Sequence, residues 1–298
     1  VAFDAVQLSV VVVTYNHAPY IAQAIESVLA QQTSRPMEII VSEDCSTDGT
    51  REIVRDFAAR DPRIRLLLSP ANLRSNEVVA RGIRAARGRY IALLDGDDYW
   101  TSPTKLERQA AILDADPGLS ACFHNAVTLP SGERWTPVGQ PSRVTLADIW
   151  QGNPFATCAG MMRASALADL GDWYHGFFPI TDWPLYILCA EHGDIAFSDE
   201  LVGAYRLHEG GLFSALPGSR KLDMIAGFYK RMGKALGARS RDFARAGASR
   251  YFFDWTKAYA ASGDRAMARH CLARSLRGGG VGRSVSRREW VRAAWRLR

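Results

Sequence analysis

Hydrophobic and polar positions change period repeatedly along the first hundred residues, and the changes mark out elements. Leu8 to Thr14 (LSVVVVT) is a continuous β-branched run, the pattern of a strand buried on both faces, as parallel strands are. Residues 19–31 (PYIAQAIESVLAQ) then place Ile21, Ile25, Val28 and Leu29 at helical spacing behind Pro19, which suits a first turn. Met37 to Val41 reads as a second strand, and Ser46-Thr47-Asp48-Gly49-Thr50 leads into a helix carrying Ile53, Val54 and Phe57. A third strand follows at Ile64 to Leu68, a helix over 75–86, and a fourth strand at Tyr90 to Leu94. The order βαβαβαβ predicts an α/β fold with a doubly wound, mostly parallel sheet and ligands at the carboxyl ends of its strands.

Beyond the fourth strand the pattern loosens. Ser102-Pro103 starts a helix through Ala115 that Pro117 stops, and Leu119 to Ala126 reads as a strand. Residues 127–215 are rich in Gly, Pro and aromatics, with an apolar helix over 182–191 and a strand over 195–206, and are expected to build the other wall of a cleft. From 216 the reading is helical: 220–236, 241–262 and 264–277, then Gly278-Gly279-Gly280. In the last segment, 286–298, Trp290, Val291, Ala294, Trp295 and Leu297 fall on one arc and Arg288, Arg292 and Arg296 on the other. That layout describes an interfacial amphipathic helix, and equally a helix packed on its own protein with its arginines in water.

Charge sharpens this division. The 298 residues are 47% hydrophobic, enough for a packed core, and the net charge of +6 is unevenly spread. Residues 1–215 hold 17 Lys/Arg against 26 Asp/Glu, whereas 216–298 hold 20 against 5. A basic C-terminal module predicts contact with an anionic surface such as phospholipid headgroups or, as the weaker alternative, with nucleic acid. The five cysteines (Cys45, Cys122, Cys158, Cys189, Cys271) are scattered and never form CxxC, which argues against a zinc site or a disulfide framework and makes a reducing cytoplasm the expected compartment. No apolar run approaches the roughly 20 residues of a spanning helix, and the first residues lack the layout of a signal peptide. Any membrane contact is therefore expected at the inner surface, peripherally.

The chemistry concentrates at the predicted strand tips. The apolar run Tyr90 to Leu94 ends in Asp95-Gly96-Asp97-Asp98, and three carboxylates in four residues must face solvent, a metal or a cationic ligand. A short Asp-x-Asp at the mouth of a sheet offers the oxygens that a phosphate-carrying divalent cation takes; an Asp/Gly turn is the simpler reading. Val13-Thr14-Tyr15-Asn16 ends the first strand and Ser42-Glu43-Asp44-Cys45-Ser46-Thr47-Asp48-Gly49-Thr50 ends the second, toward the same edge. Together they would make one pocket: an aromatic to cover a base, an acid to accept from a base N–H, and acids for ribose and metal. Singly, Tyr15 could pack on a helix and STDGT could be an N-cap and turn.

In order and spacing these motifs resemble the inverting family 2 glycosyltransferases of GT-A fold. Thr181-Asp182-Trp183, where that family has Glu-Asp-Trp, and Tyr205-Arg206-Leu207-His208 with Ser214 extend the resemblance over residues 7–215. It implies a catalytic domain over 1–215, with a nucleotide-sugar half at 1–126 and an acceptor half at 127–215, followed by the basic module at 216–298. It further implies that Asp44 recognises the base with Tyr15 and the backbone of Thr14, that Asp95 with Gly96 meets the ribose or a metal water, and that Asp97 and His208 hold Mn2+ or Mg2+. Arg206 is expected at the diphosphate, since guanidinium matches phosphate oxygens, and Asp182 as the general base, a role compatible with capping its helix. The sequence departs from the family at Thr181, at Arg74, where a glycine is common, and at Ala80, so acceptor contacts and base contacts from the 72–75 loop do not carry over.

The implied activity is transfer of a sugar, with inversion, from a nucleotide diphosphate sugar, UDP-linked, to a hydroxyl of a glycan or lipid-linked acceptor such as bacterial polysaccharide assembly uses. A sugar nucleotidyltransferase would need a Gly-rich, Lys/Arg-bearing loop after the first strand, where YNHAPY stands instead. A catalytically silent nucleotide-sugar-binding scaffold would have lost a metal acid or the base, and Asp95, Asp97, Asp182 and His208 are all present. The helix pair over 241–277 resembles one tetratricopeptide-like unit and could equally be a contact in a homo-oligomer.

Overall fold

The computed structural model describes residues 6–213, 216–277 and 284–297; Ser214 and Gly278–Gly280 lie outside the described residues. Two compact units emerge, one formed by residues up to Thr145 with Pro154–Gly211, the other by Leu146–Asn153 with the chain from Leu212 onward.

The first unit is built on a nine-stranded sheet. Its leading half alternates as expected: β1 (Leu8–Thr14), α1 (Ile21–Leu29), β2 (Met37–Glu43), α2 (Thr50–Arg60), β3 (Ile64–Leu68), α3 (Glu77–Ala85), β4 (Tyr90–Asp95). β1 is the central strand of this half, hydrogen-bonded in parallel to β2 and β4, and Val10, Val11 and Val12 are fully buried, as an uninterrupted β-branched run requires. The register aligns Val13 with Asp95 and Thr14 with Glu43, so the three strands end at one edge.

The trailing half comprises β5 (Tyr99–Trp100), α4 (Lys105–Ala115), β6 (Leu119–Leu129), β7 (Arg143–Val144), β8 (Gly160–Arg163), α6 (Trp183–His192) and β9 (Asp194–Arg206), with α5 (Leu146–Ile149) belonging to the other unit. The strand order is β3-β2-β1-β4-β8-β6-β9-β5, with β7 also paired to β9. β8 was not foreseen: four residues are too few to show a period, yet they slot antiparallel between β4 and β6 and carry one continuous sheet across the expected boundary at residue 126. β6 runs three residues past its expected end because β9 pairs with it in parallel as far as Leu129 and Arg206.

The second unit is helical: α5, α7 (Gly218–Ala235), α8 (Ala238–Ala261), α9 (Arg265–Arg277) and α10 (Arg287–Arg296). Residues 146–153, expected in the acceptor half, pack here because Trp150 is fully buried and its carbonyl accepts a 3.0 Å hydrogen bond from Tyr229 Oη. A Cβ at Gly247 would come within 2.0 Å of that carbonyl, so only glycine lets α8 pass. α10 starts on a capping box between Ser286 and Glu289. Its apolar arc is split: Trp290, Ala294 and Leu297 pack on Phe253, Ala268 and Leu272, while Val291 and Trp295 remain 61% and 74% exposed. Among the described residues no helix is long and apolar enough to cross a membrane, and the five cysteines are free.

Candidate functional site

The turn after β1 is held by the segment after β2. Asn16 N–H donates to Ser46 Oγ (2.9 Å), His17 N–H to Thr50 Oγ1 (2.8 Å) and Ala18 N–H to Asp48 Oδ2 (2.9 Å), while Asn16 Oδ1 accepts from Thr47 N–H (2.8 Å). The STDGT side chains are therefore a clip on the TYNHA turn as well as the lead into α2. Asn16 takes a positive φ of 54°, which its short polar side chain tolerates, and Gly49 takes 96° as the N-cap of α2. Tyr15 sits half-buried at the end of β1, and the carbonyl of Thr14 accepts from the N–H of Asp44 at 3.0 Å.

Asp44 is buried, and its Oδ1 accepts from both Ser69 Oγ and the Leu73 N–H at 3.0 Å. Among the described residues Oδ2 has no protein donor, so one face of a fixed carboxylate is left for a ligand N–H. Its neighbour Glu43 is instead consumed internally, accepting from Arg51 and the Ser46 N–H. Arg74 has a φ of 45°, a left-handed conformation that glycine would adopt with less strain.

Four carboxylates crowd the end of β4. Asp95 is pushed up to about 8 by burial and by the charges of Asp97 and Asp182, against a hydrogen bond from Thr157 that lowers it. Asp98 is nearly fully buried and pushed well up by burial and by the charges of Asp97 and Asp95; its Oδ1 accepts from the Arg206 N–H at 2.8 Å, fastening the loop to β9. Asp97 Oδ2 lies 2.9 Å from His208 Nε2, so residues 111 positions apart meet across the site, as expected. A second imidazole, unforeseen from sequence, is also there: His17 Nε2 is 3.6 Å from the same oxygen. Burial is the largest influence on His17 and lowers it, keeping the ring neutral near pH 7. Gly96 closes the turn against these groups, since a Cβ there would stand 2.7 Å from Thr14 Oγ1 and 2.9 Å from His17 Nδ1.

Arg206 packs beside the acidic loop. Its guanidinium lies over the rings of Tyr99 and Tyr20, at 4.6 and 5.1 Å, and donates to the carbonyl of Asp97 and the side chain of Gln23. These bonds take two of its five N–H donors and brace the acidic loop. Tyr20 also lies against His208, ring centroids 5.1 Å apart, which makes it another contributor that sequence reasoning missed.

Asp182 caps α6, accepting from the Trp183 N–H at 2.7 Å, with Pro184 in the first turn. Its approach is fixed by Asn76, whose side-chain amide donates to the carbonyls of Tyr174 and Ile180 at 3.2 and 2.9 Å, and by Tyr174 Oη, which donates to the Thr181 carbonyl at 2.5 Å. No motif flags Asn76, because its partners lie about a hundred residues away.

This arrangement of sheet, acidic loop and strand tips has counterparts. Residues 9–171 match the family described as Glycosyl transferase family 2. The chain belongs to that family. An uncharacterized protein of Mycobacterium tuberculosis is 34% identical over 220 residues, which is 72% of this chain and 63% of that protein, so the chain spans less than two thirds of that relative. Among solved structures, S. aureus TarS 1-349 in complex with UDP-GlcNAc aligns with a TM-score of 0.69 at 18% identity, over 98% of this chain and 88% of that chain. The mannosyltransferase PcManGT from Pyrobaculum calidifontis, in complex with GDP-Man and Mn2+, aligns with a TM-score of 0.60 at 18% identity, over 98% and 84%. The fold is thus that of GT-A glycosyltransferases, with further helices in the C-terminal part of the chain.

The donor set of this family 2 domain fits a divalent cation. No cluster of three or more His, Cys, Asp or Glu side chains closes as a metal cage among the described residues. Asp97 and His208 offer two donors that would suit a cation completing its shell with substrate phosphates and water. Burial first, and then the charge of Asp97, raises both Asp95 and Asp98, and a cation at Asp97 would offset the second of these causes.

Proposed function

We propose that the first unit transfers a sugar from a nucleotide diphosphate sugar, UDP-linked, to a hydroxyl of a glycan or lipid-linked acceptor, with inversion at the anomeric carbon. The observation that carries this reading is the gathering of Asp44, Asp95, Asp97 and His208 at the strand ends of one sheet, with Asp182 near enough to raise Asp95, in a family 2 domain whose structural neighbours hold UDP-GlcNAc and GDP-Man. Asp44 Oδ2 accepts from the base, and Tyr15 lies beside it. Asp95, protonated or charge-relieved, hydrogen-bonds the ribose. Asp97 and His208, with His17 alongside, would hold Mn2+ or Mg2+, which would supply positive charge to the diphosphate. Arg206 and Gly96 position that loop.

Asp182 takes the proton of the acceptor hydroxyl as its oxygen bonds to the anomeric carbon, on the face opposite the breaking bond to diphosphate. The aspartate need not be a strong base, because the proton moves as the oxygen bonds. Asp182→Asn is expected to lower sugar transfer by at least about 100-fold while thermal stabilisation by UDP-sugar with Mn2+ persists. Turnover retained in that variant would remove the base assignment; failure of every nucleotide sugar to stabilise the wild type would remove the donor assignment.

A further inference from the structure

The second unit contains a cavity of about 470 Å3 that the transfer reaction does not use. Its floor is apolar: Tyr229 and Phe252, both buried, with the small side chains of Ala244 and Ala248. Gly233 forms the tight point between α7 and α8, since a Cβ there would stand 2.8 Å from that of Ala244. Tyr229 is fixed by its bond to the Trp150 carbonyl and so cannot swing in to fill the space.

The rim carries five cations from three helices: Lys230, Arg241, Arg245, Arg274 and Arg277. Arg274 is paired with Asp223, and Arg245 lies 4.0 Å from Asp242. Among the described residues Lys230, Arg241 and Arg277 have no acidic partner, and no carboxylate lines the cavity. Like charges gathered around one concavity repel each other unless an anion lies between them. Guanidinium groups favour phosphate oxygens in particular, through paired N–H donors.

We propose that this cavity binds the phosphate headgroup of an anionic lipid, with the start of the hydrocarbon chain along Tyr229 and Phe252. The lining itself favours a lipid over a polyanionic glycan. Sugar hydroxyls are held by carboxylates and side-chain amides, and the lining contains neither, only cations, aromatic rings and small apolar groups. The same unit exposes Leu276, Val291 and Trp295, apolar groups suited to a lipid surface but not to a soluble anion.

Surface charge alone draws basic proteins to acidic vesicles, so the decisive probe is a monomeric lipid. Dihexanoyl-phosphatidylglycerol, below its micelle concentration, is titrated into the full chain by calorimetry, with glycerol 3-phosphate and dihexanoyl-phosphatidylcholine as separate arms. Saturable 1:1 binding is expected, weakened at least about tenfold by Arg241→Gln with Arg277→Gln, two exposed positions whose loss should not unfold the helices. Arg287→Gln with Arg288→Gln, the same charge change away from the cavity, is expected to leave it within about twofold. Both other ligands are expected to bind at least about tenfold more weakly. The proposal fails if no saturable binding occurs, if both double variants lose equally, or if glycerol 3-phosphate binds as well as the lipid, which would make the site one for free phosphate esters. None of these readouts depends on sugar transfer, so the site and the enzymatic reading stand or fall separately.

Discussion

At the scale of single residues, the site works by giving each carboxylate a different environment. Asp44 keeps one oxygen fixed by Ser69 and Leu73 and the other open, whereas Asp98 is sealed and bonded to the Arg206 backbone. Asp44→Asn preserves the fixed acceptor oxygen and substitutes an N–H donor on the open side. It is expected to raise KM for the nucleotide sugar about 10- to 100-fold with little change in kcat, the size of one charge-assisted hydrogen bond lost. Steady-state kinetics at varied donor would check this, and an unchanged KM would take the base contact away from Asp44. Asp44, Asp95 and Asp97 stood out in the sequence as acids at the ends of apolar runs, and Asp182 through the resemblance of Thr181-Asp182-Trp183 to the family's Glu-Asp-Trp. His17, Asn76 and Tyr20 did not, because a lone histidine, asparagine or tyrosine has many structural uses.

Elements decide how those residues are held. The turn after β1, the clip after β2 and the acidic loop after β4 are three short segments packed so closely that Gly96 has no room for a side chain. Because the obstacle is contact with Thr14 and His17 rather than a special φ, Gly96→Ala should cost about 1–3 kcal/mol by overpacking and displace Asp97. Urea unfolding would report the stability loss and metal-dependent donor binding the displacement; a variant with wild-type values in both would show that the loop yields freely. The parallel elements were legible because long β-branched runs and amphipathic helices repeat a period. β8 is four residues, and no period shows in so short a run. The split face of α10 was hidden for a related reason: periodicity defines an apolar arc but not which part of it meets the protein.

At the scale of the whole molecule, Lys105 stands out among the described residues as a fully buried lysine. Its ammonium lies fully buried beside the Trp100 ring at 4.3 Å, donating to Gln109 Oε1 at 2.8 Å and the Gly160 carbonyl at 3.1 Å, with no carboxylate bonded to it. Burial brings it from the ordinary 10.5 down to about 7. Between those values the unfolded chain holds a proton that the folded chain has released, so this group's contribution to stability rises with pH from about 7 to about 10.5. Relative to Lys105→Met, the wild type should therefore gain up to about 1.4 kcal/mol per pH unit in that window. Denaturant melts at pH 7.5, 8.5 and 9.5 would measure the difference, and parallel curves for the two proteins would mean the amine is not titrating there.

The sequence by itself determined the strands of the parallel half, the edge where their tips carry chemistry, the family and the basic helical end, because these depend on local period, composition and motif order. Only the tertiary structure decided which distant groups share an oxygen of Asp97, that Arg206 braces the acidic loop, that residues 146–153 join the helices, and that five cations ring one cavity. Those outcomes depend on contacts between segments tens to hundreds of residues apart, and pairings of that kind leave no periodic trace in the chain.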